Sequence, residues 1–484
     1  MKSSNLILMM GKLNAAEFKE FGEYTRSSYF NKSEGVIKLY EYIKIHYPDF
    51  DEIKMGKENV FRNILPDIEY DDAFMRKLMF NLSKLTEDFL VHENIKKDSF
   101  NYSKALLNEL MVRDLKKLYT KKLKSINDEF IKQKIKNNEY YKNKYIIDSI
   151  NESVVMKDKM VVNSKDRLDM YLNNHTKSMI EYFLVEILCE YRFLINYKKI
   201  VRFDFNPAFY EIILNYMKKN ESVHNVPLLS LYYNSLLLII EKEKMHFQKL
   251  KELLIKEMSS FSWHDKYGTF AILVNFINDE YHKGNKQYAN EGFELYKLII
   301  QYKLYSGKEG GHFENALFKN IVKLGLLMKE TDWTEKFIND YIEELLPEAR
   351  DNTLYYSKAR VNFAKGNYER SLEDLSKIVS IHDFHFKSQI KSLTLMIFIE
   401  KSWINEAFDL IDASKHYISY EKLLPEITKE KNMNFIKFCT EILKMKSKNS
   451  KEKINDLKYD LLNTENILEK EWLEEKIEEL ERIK

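Results

Sequence analysis

The chain has 484 residues, with 77 lysines and arginines against 75 aspartates and glutamates, a formal net charge of +2. That near-balance excludes a chain built throughout to coat nucleic acid. Only 12 glycines and 6 prolines serve this length, too few for the turns of an all-β or Rossmann-type fold; with long segments of 3.6-residue apolar period, they predict an all-α protein.

The length exceeds that of one ordinary domain, so several domains or one extended array are expected. Leu6–Met10 is apolar but too brief for a signal peptide, and no small-residue cleavage site follows it. Residues 1–100 read as a small helical domain, with helices over Ala15–Thr25, Glu34–His46, Lys57–Ile64 and Asp71–Val91 and breaks at Pro48 and Pro66. The last two helices have the outline of a helix-turn-helix. Phe74, Leu78, Leu82, Leu85 and Phe89 are the expected buried face of the second. Arg76, Lys77 and Lys84 are then left to meet a nucleic acid. The preferred reading is plainer. Acids slightly outnumber bases over the first hundred positions, and Asp71 and Asp72 serve as helix caps where a DNA reader offers amides to phosphate.

Residues 101–165 read as a basic helical connector. From Val112 to Lys144 bases outnumber acids by well over two to one. Lys116, Lys117, Lys121 and Lys122 alternate there with leucine and tyrosine, a pattern that single-stranded nucleic acid binding uses for phosphate and stacking. An anionic membrane surface is a second candidate partner. A solvated helix joining two domains, its aromatics turned to a core, is preferred, because lysine is abundant throughout the chain.

Residues 166–445 predict an α-α array. Its pairs include Leu228–Glu241 with Phe247–Met258, Tyr267–Tyr281 with Tyr288–Ile300, and Ala316–Met328 with Trp333–Leu346. Pro227–Ile240 is the longest apolar stretch, too short to span a bilayer and best read as a buried helix with proline in its first turn. The glycine-rich loop Tyr305–His312 lacks the spacing of a phosphate-binding loop and reads as a flexible turn.

The pattern is clearest over Asn352–Tyr420. Leu354, Tyr355, Ala359 and Phe363 recur at helical spacing, Gly366-Asn367 breaks the helix, and Tyr368, Leu372, Leu375 and Ile378 begin another. Leu393, Ile397 and Ile399 precede a break at Lys401-Ser402, and Ile404, Ala407, Phe408 and Ile411 follow it. Trp333, Tyr368 and Ile404 are spaced by 35 and 36 residues, the period of a stacked helical-pair repeat. This stretch resembles the tetratricopeptide repeat: Ala359, Gly366, Tyr368, Ser371 and Leu375 match its pattern. Tyr355 replaces the early tryptophan, Ile378 the late alanine and Asp383 the terminal proline. The resemblance implies a helical-hairpin solenoid whose first helices line a concave face. It assigns Tyr356, Arg360 and Phe363, with Ser392 and Met396 of the next unit, to partner contact. More broadly, the chain resembles uncharacterised bacterial helical-repeat proteins, which implies a cytoplasmic setting.

Residues 446–484 read as a charged C-terminal capping helix. Ile454, Leu457, Leu461, Leu468, Trp472, Leu473, Ile477 and Leu480 form its stripe, placed to cover the last apolar face of an array. A coiled coil is the alternative, for which the stripe is short and irregular.

No nucleophile elbow, HExxH or calcium loop is present. His382 and His385 flank Asp383 without a further ligand nearby, and read as a surface turn rather than a metal site. Cys189 and Cys439 lie far apart in apolar helical contexts and read as buried free thiols of a reducing compartment. The expected function is a non-catalytic, cofactor-free scaffold that binds a protein or peptide on its array. The alternative is a regulator that contacts nucleic acid through the N-terminal unit or residues 112–144. A third class is an enzyme whose site assembles only in three dimensions.

Overall fold

The computed structural model describes residues 1, 3–50, 53–157, 165–198, 204–220, 225–282, 285–379, 381, 383–420, 426–448 and 454–482. The described residues are all-helical, and their one strand-like feature is a single bridge between Phe313 and Leu345. The chain divides into two units, Met1–Gln133 and Lys134–Lys484. Residues 101–165 are thus shared between them.

The first unit holds α1 (Asn5–Met10), α2 (Ala15–Arg26), α3 (Glu34–Ile45), α4 (Lys57–Ile64), α5 (Asp72–Lys97), α6 (Ser99–Val112) and α7 (Lys116–Ile131). Their starts follow from short polar side chains that satisfy free helix amides. Asn14 and Glu17 close a capping box at α2, Ser33 caps α3, and Asp71 accepts from the amides of Ala73 and Phe74 at α5. The core gathers Phe21, Tyr40, Phe61, Leu82 and Phe89. Phe74, expected in it, is 38 % exposed, and Met75 takes the buried place. Met75, Leu78, Leu82, Leu85 and Phe89 hold the three- and four-residue spacing of one helix face. Phe74 lies beside that face, edge-on to Phe61 at 6.0 Å.

The second unit runs through α8 (Asn138–Lys157), α9 (Lys165–Lys198), α10 (Ala208–Lys219), α11 (Pro227–Glu241), α12 (Lys244–Lys256), α13 (Trp263–His282), α14 (Tyr288–Gln301), α15 (Asn315–Leu327), α16 (Thr331–Tyr341), α17 (Pro347–Ala364), α18 (Tyr368–Ser376), α19 (Phe384–Glu400), α20 (Ile404–Tyr420), α21 (Glu426–Lys448), α22 (Ile454–Asn463) and α23 (Lys470–Arg482). From α11 to α20 each odd-numbered helix packs on the one that follows it. First helices also meet one another: α11 touches α13, α15 touches α17, α17 touches α19, and α19 touches α21. This row of first helices is the frame on which the C-terminal segment sits.

The turns inside three successive pairs share one backbone geometry. The Glu330 amide donates to the Gly325 carbonyl at 2.9 Å, Asn367 to Asn362 at 2.8 Å, and Trp403 to Phe398 at 2.8 Å. Each turn holds one left-handed residue, at Lys329 (φ 60°), Gly366 (φ 76°) and Ser402 (φ 57°). This is the Schellman closure of a helix C-terminus. Small residues let the pairs close. Ser371 is fully buried and its hydroxyl donates to the Ala359 carbonyl at 2.7 Å, and Ala407 is also fully buried.

The loop after α14 is anchored at both ends, contrary to the flexible turn expected from its glycines. Tyr305 and Ser306 are buried, and the Tyr305 ring stacks on Phe313 at 4.3 Å. The Glu314 amide donates to the Tyr305 carbonyl and the Phe313 amide to that of Glu344, at 2.8 and 2.9 Å. Aromatic packing, which a glycine count does not register, fixes the two ends.

The C-terminal stretch, expected as one helix, is two. Asn466 and Glu469 adopt left-handed φ values of 49° and 51° between α22 and α23, which no helix interior tolerates. The anticipated stripe is otherwise in place. Leu461, Trp472, Leu473 and Ile477 are buried in one cluster with Phe435, Phe438 and Cys439 of α21. No helix among the described residues is long and apolar enough to cross a membrane.

Candidate partner-binding face

The residues assigned to partner contact lie in the first-helix row, Tyr356, Arg360 and Phe363 on α17 and Ser392 and Met396 on α19. Tyr356, Arg360, Ser392 and Met396 are buried, and Phe363 is half-buried. They do not form an open face as expected. Met396 and Phe363 pack into the cluster shared by α21, α22 and α23. Tyr356 stands edge-on to Phe386, at 5.4 Å. Two coverings account for this: the neighbouring helices pack on Tyr356, and the chain's own C-terminal segment lies on Arg360, Phe363 and Met396, where a peptide was expected.

Polar side chains fix that segment. Both Arg360 guanidinium nitrogens donate to the Glu469 carboxylate, at 3.2 and 3.3 Å, and the Lys323 ammonium of α15 reaches it at 3.1 Å. The forked pairing suits guanidinium geometry. Burial alone would raise the Glu469 carboxyl, but Arg360 and Lys323 outweigh it and hold it down at about 2. Burial likewise pushes the Tyr356 hydroxyl up to about 12, against the opposing pull of Arg360. Lys286, just past α13, meets Glu474 at 2.6 Å, and that hydrogen bond raises its pKa. Tyr281 at the end of α13 bonds to Glu471; its hydroxyl is pushed well up, first by burial and then by that carboxylate.

Glu400, the last residue of α19, accepts from the Trp472 indole at 2.7 Å and from Lys476 at 2.8 Å. Burial disfavours the Lys476 ammonium, yet its bonds to Glu400 and Glu479 raise its pKa overall. Lys446 of α21 donates to the Ile399 carbonyl at 2.9 Å. These polar anchors of the C-terminal segment thus come from the C-terminal ends of first helices or just beyond them, while Phe435, Phe438 and Cys439 pack on it from the middle of α21.

Sequence reasoning found the apolar stripe of this segment and missed its charges. The one available signal was register. Lys476 falls at the same helical phase as Trp472, Leu473 and Leu480, so a charge sits on a buried face. Buried charges need partners.

The basic residues divide into two sets. On α5, Arg76 pairs with Asp72 at 2.9 Å and Lys84 with Glu87 at 2.7 Å, while Lys77 is exposed. Asp71 caps α5 as expected. On α7, Lys116 lies 3.6 Å from Asp114. Lys117, Lys121 and Lys122 have no ion pair among the described residues, and the first two are exposed. Tyr119 and Phe130 of α7 are buried. The basic–aromatic pattern therefore offers lysines but no stacking faces, because the aromatics form the apolar side of the helix.

Two other places gather groups capable of chemistry. Glu241, Glu243 and His246 bring ligand atoms within 4.8 Å of one another. The His246 Nε2 lies 2.6 Å from Glu241, and its Nδ1 is buried without a partner. A metal on Nε2 would force a proton onto that Nδ1, where nothing accepts it, so the geometry suits a His–Glu hydrogen bond better than a metal centre. A cleft of about 570 Å³ beside α8 and α9 has Lys144 and Lys177 on its wall, both paired with Glu181 at 2.6 and 3.9 Å. His385 is exposed, and His382 lies outside the described residues. Cys439 is buried and Cys189 half-buried, both as free thiols.

No family model, no curated protein and no solved structure matches this chain.

Proposed function

We propose that this protein is a non-catalytic interaction scaffold of the cytoplasm, a tetratricopeptide-like solenoid that binds a helical segment along its row of first helices. One observation carries the reading. The successive first helices α13, α15, α17 and α19 contribute Tyr281, Lys323, Arg360 and Glu400 to one short segment, Glu469–Trp472, at the start of α23. A row that seats one helix by polar anchors and an apolar stripe has the chemistry of helix-in-groove recognition. The test is crosslinking of the full chain in nuclease-treated extract of its host. Crosslinks from a stoichiometric protein that concentrate on α13, α15, α17 and α19 support the reading. Crosslinks scattered over the surface, or none, overturn it.

A second reading is a regulator that contacts nucleic acid through α7. It is favoured by Lys117 and Lys121, which lie exposed without an ion pair among the described residues. Contact there would be with phosphate, since the aromatics are withdrawn, and binding would fall steeply with salt.

A further inference from the structure

We propose that the first-helix row is selective for acidic amphipathic helices, and that α23 is a resident copy of such a ligand. The proposal rests on the scaffold reading and adds the chemistry of the partner.

The row carries cations that its own helices do not neutralise. Among the described residues, the acidic partner of Arg360 and Lys323 is Glu469, and that of Lys286 is Glu474. Arg360 is 8 % exposed. A guanidinium so buried cannot rely on water, so whatever covers it must bring a carboxylate. A neutral or basic occupant would leave the row with uncompensated charge.

The resident segment has the complementary composition. Between Lys470 and Arg482 it carries six acidic and three basic residues. Its polar contacts also set a direction. Carboxylates at Glu469 and Glu474 meet the cations, while Trp472 and Lys476 meet Glu400. The pattern Glu-x-x-Trp-x-Glu-x-Lys thus states what a replacement must present: a carboxylate, an indole, a second carboxylate and an ammonium, in that order.

The seat is not closed. A cleft of about 510 Å³, lined by Tyr281, Lys286, Lys458 and Lys470, runs beside α23. Glu469, whose carboxylate anchors the segment, does so from a left-handed backbone (φ 51°) that a glutamate does not favour. Release of α23 would relieve that strain while it exposes the row. A tethered segment competes at an effective concentration in the millimolar range. A free acidic helix therefore displaces it only when it binds more tightly or when the resident is weakened.

The experiment uses the full chain and a fluorescein-labelled synthetic peptide of residues 464–484. Hydrogen exchange in the wild type should show α23 amides opening about 100-fold faster than those of α19, in a local event. The Glu469→Gln chain should bind the peptide saturably and about tenfold more tightly than the wild type. A peptide with lysine at positions 469 and 474 should not bind. Lys286→Glu, introduced with Glu469→Gln, should weaken binding severalfold without loss of fold, because Lys286 is a surface residue.

Exchange of α23 only with global unfolding would make it a permanent cap and overturn the proposal. So would equal binding of the charge-reversed peptide, which would show a face indifferent to charge. Crosslinks that still concentrate on α13, α15, α17 and α19 would then keep the scaffold reading while this proposal falls.

Discussion

Glu469 holds Arg360 with both carboxylate oxygens, at 3.2 and 3.3 Å, across a sequence separation of 109 residues. Both side chains are shielded from water, with 14 and 10 % of their surfaces exposed. Removal of one partner leaves a charge that solvent cannot reach. Glu469→Gln should therefore lower stability by on the order of 3 kcal/mol, read from urea unfolding at pH 7. A double cycle with Arg360→Met should recover part of that loss. Strict additivity would refute a direct pairing.

The same carboxyl predicts an acid transition. Its folded value of about 2 lies below the ordinary 4.5. A depressed carboxyl contributes stability that is present above the unfolded value and lost as pH falls through the folded one. Between pH 4.5 and pH 2 the wild type should lose stability faster than Glu469→Gln. Parallel unfolding curves for the two chains over that range would contradict the assignment.

Lys319 is a case of the opposite sign. It is 8 % exposed, lies over the Phe386 ring at 4.0 Å, and burial lowers its pKa from 10.5 to about 8. The folded state sheds this proton more readily than the unfolded one, so stability should rise as pH increases from 8 to 10.5. Lys319→Met should remove that slope and stabilise the protein by about 1 kcal/mol at pH 7, measured by thermal melting.

The three related turns give a paired test. Gly366 has φ 76° and open space around an added Cβ, so Gly366→Ala carries a backbone cost alone. Ser402 is exposed and adopts nearly the same geometry at φ 57°. Gly366→Ala should destabilise by about 1 kcal/mol and Ser402→Gly should stabilise by a similar amount. Shifts of the same sign in both variants would mean that the turns are not equivalent.

For α7, charge reversal at Lys117 and Lys121 should leave the melting temperature unchanged. If the chain binds DNA or RNA, the same change should reduce the slope of log K against log salt by about 2. An unaltered slope would remove α7 from the interface.

Much of the helical layout was legible from the sequence. Asn14, Ser33 and Asp71 announce helix starts, and Pro227 opens α11 as its position implies. The 35- and 36-residue spacing of Trp333, Tyr368 and Ile404 places each within the first turn of a second helix. What stayed hidden has two physical origins. The breaks after Met328 and at Lys401-Ser402 were readable from periodicity, but their left-handed closure at Lys329 and Ser402, the same as at Gly366, was not, because no glycine marks it. The covering of Arg360 comes from a segment about a hundred residues downstream, and local periodicity carries no information on contacts at that distance.

The three matched turns and the single segment across them bear on how the array responds to force. A stack of helix pairs joined only to its neighbours stretches like a spring, because each interface yields a little. Anchors at Tyr281, Lys323, Arg360 and Glu400 tie several of those interfaces to one rigid rod. With α23 seated, the distances between those helices are fixed together and the row is stiff. If α23 leaves its seat as proposed above, each interface yields separately and the same chain gains a second, softer elastic state.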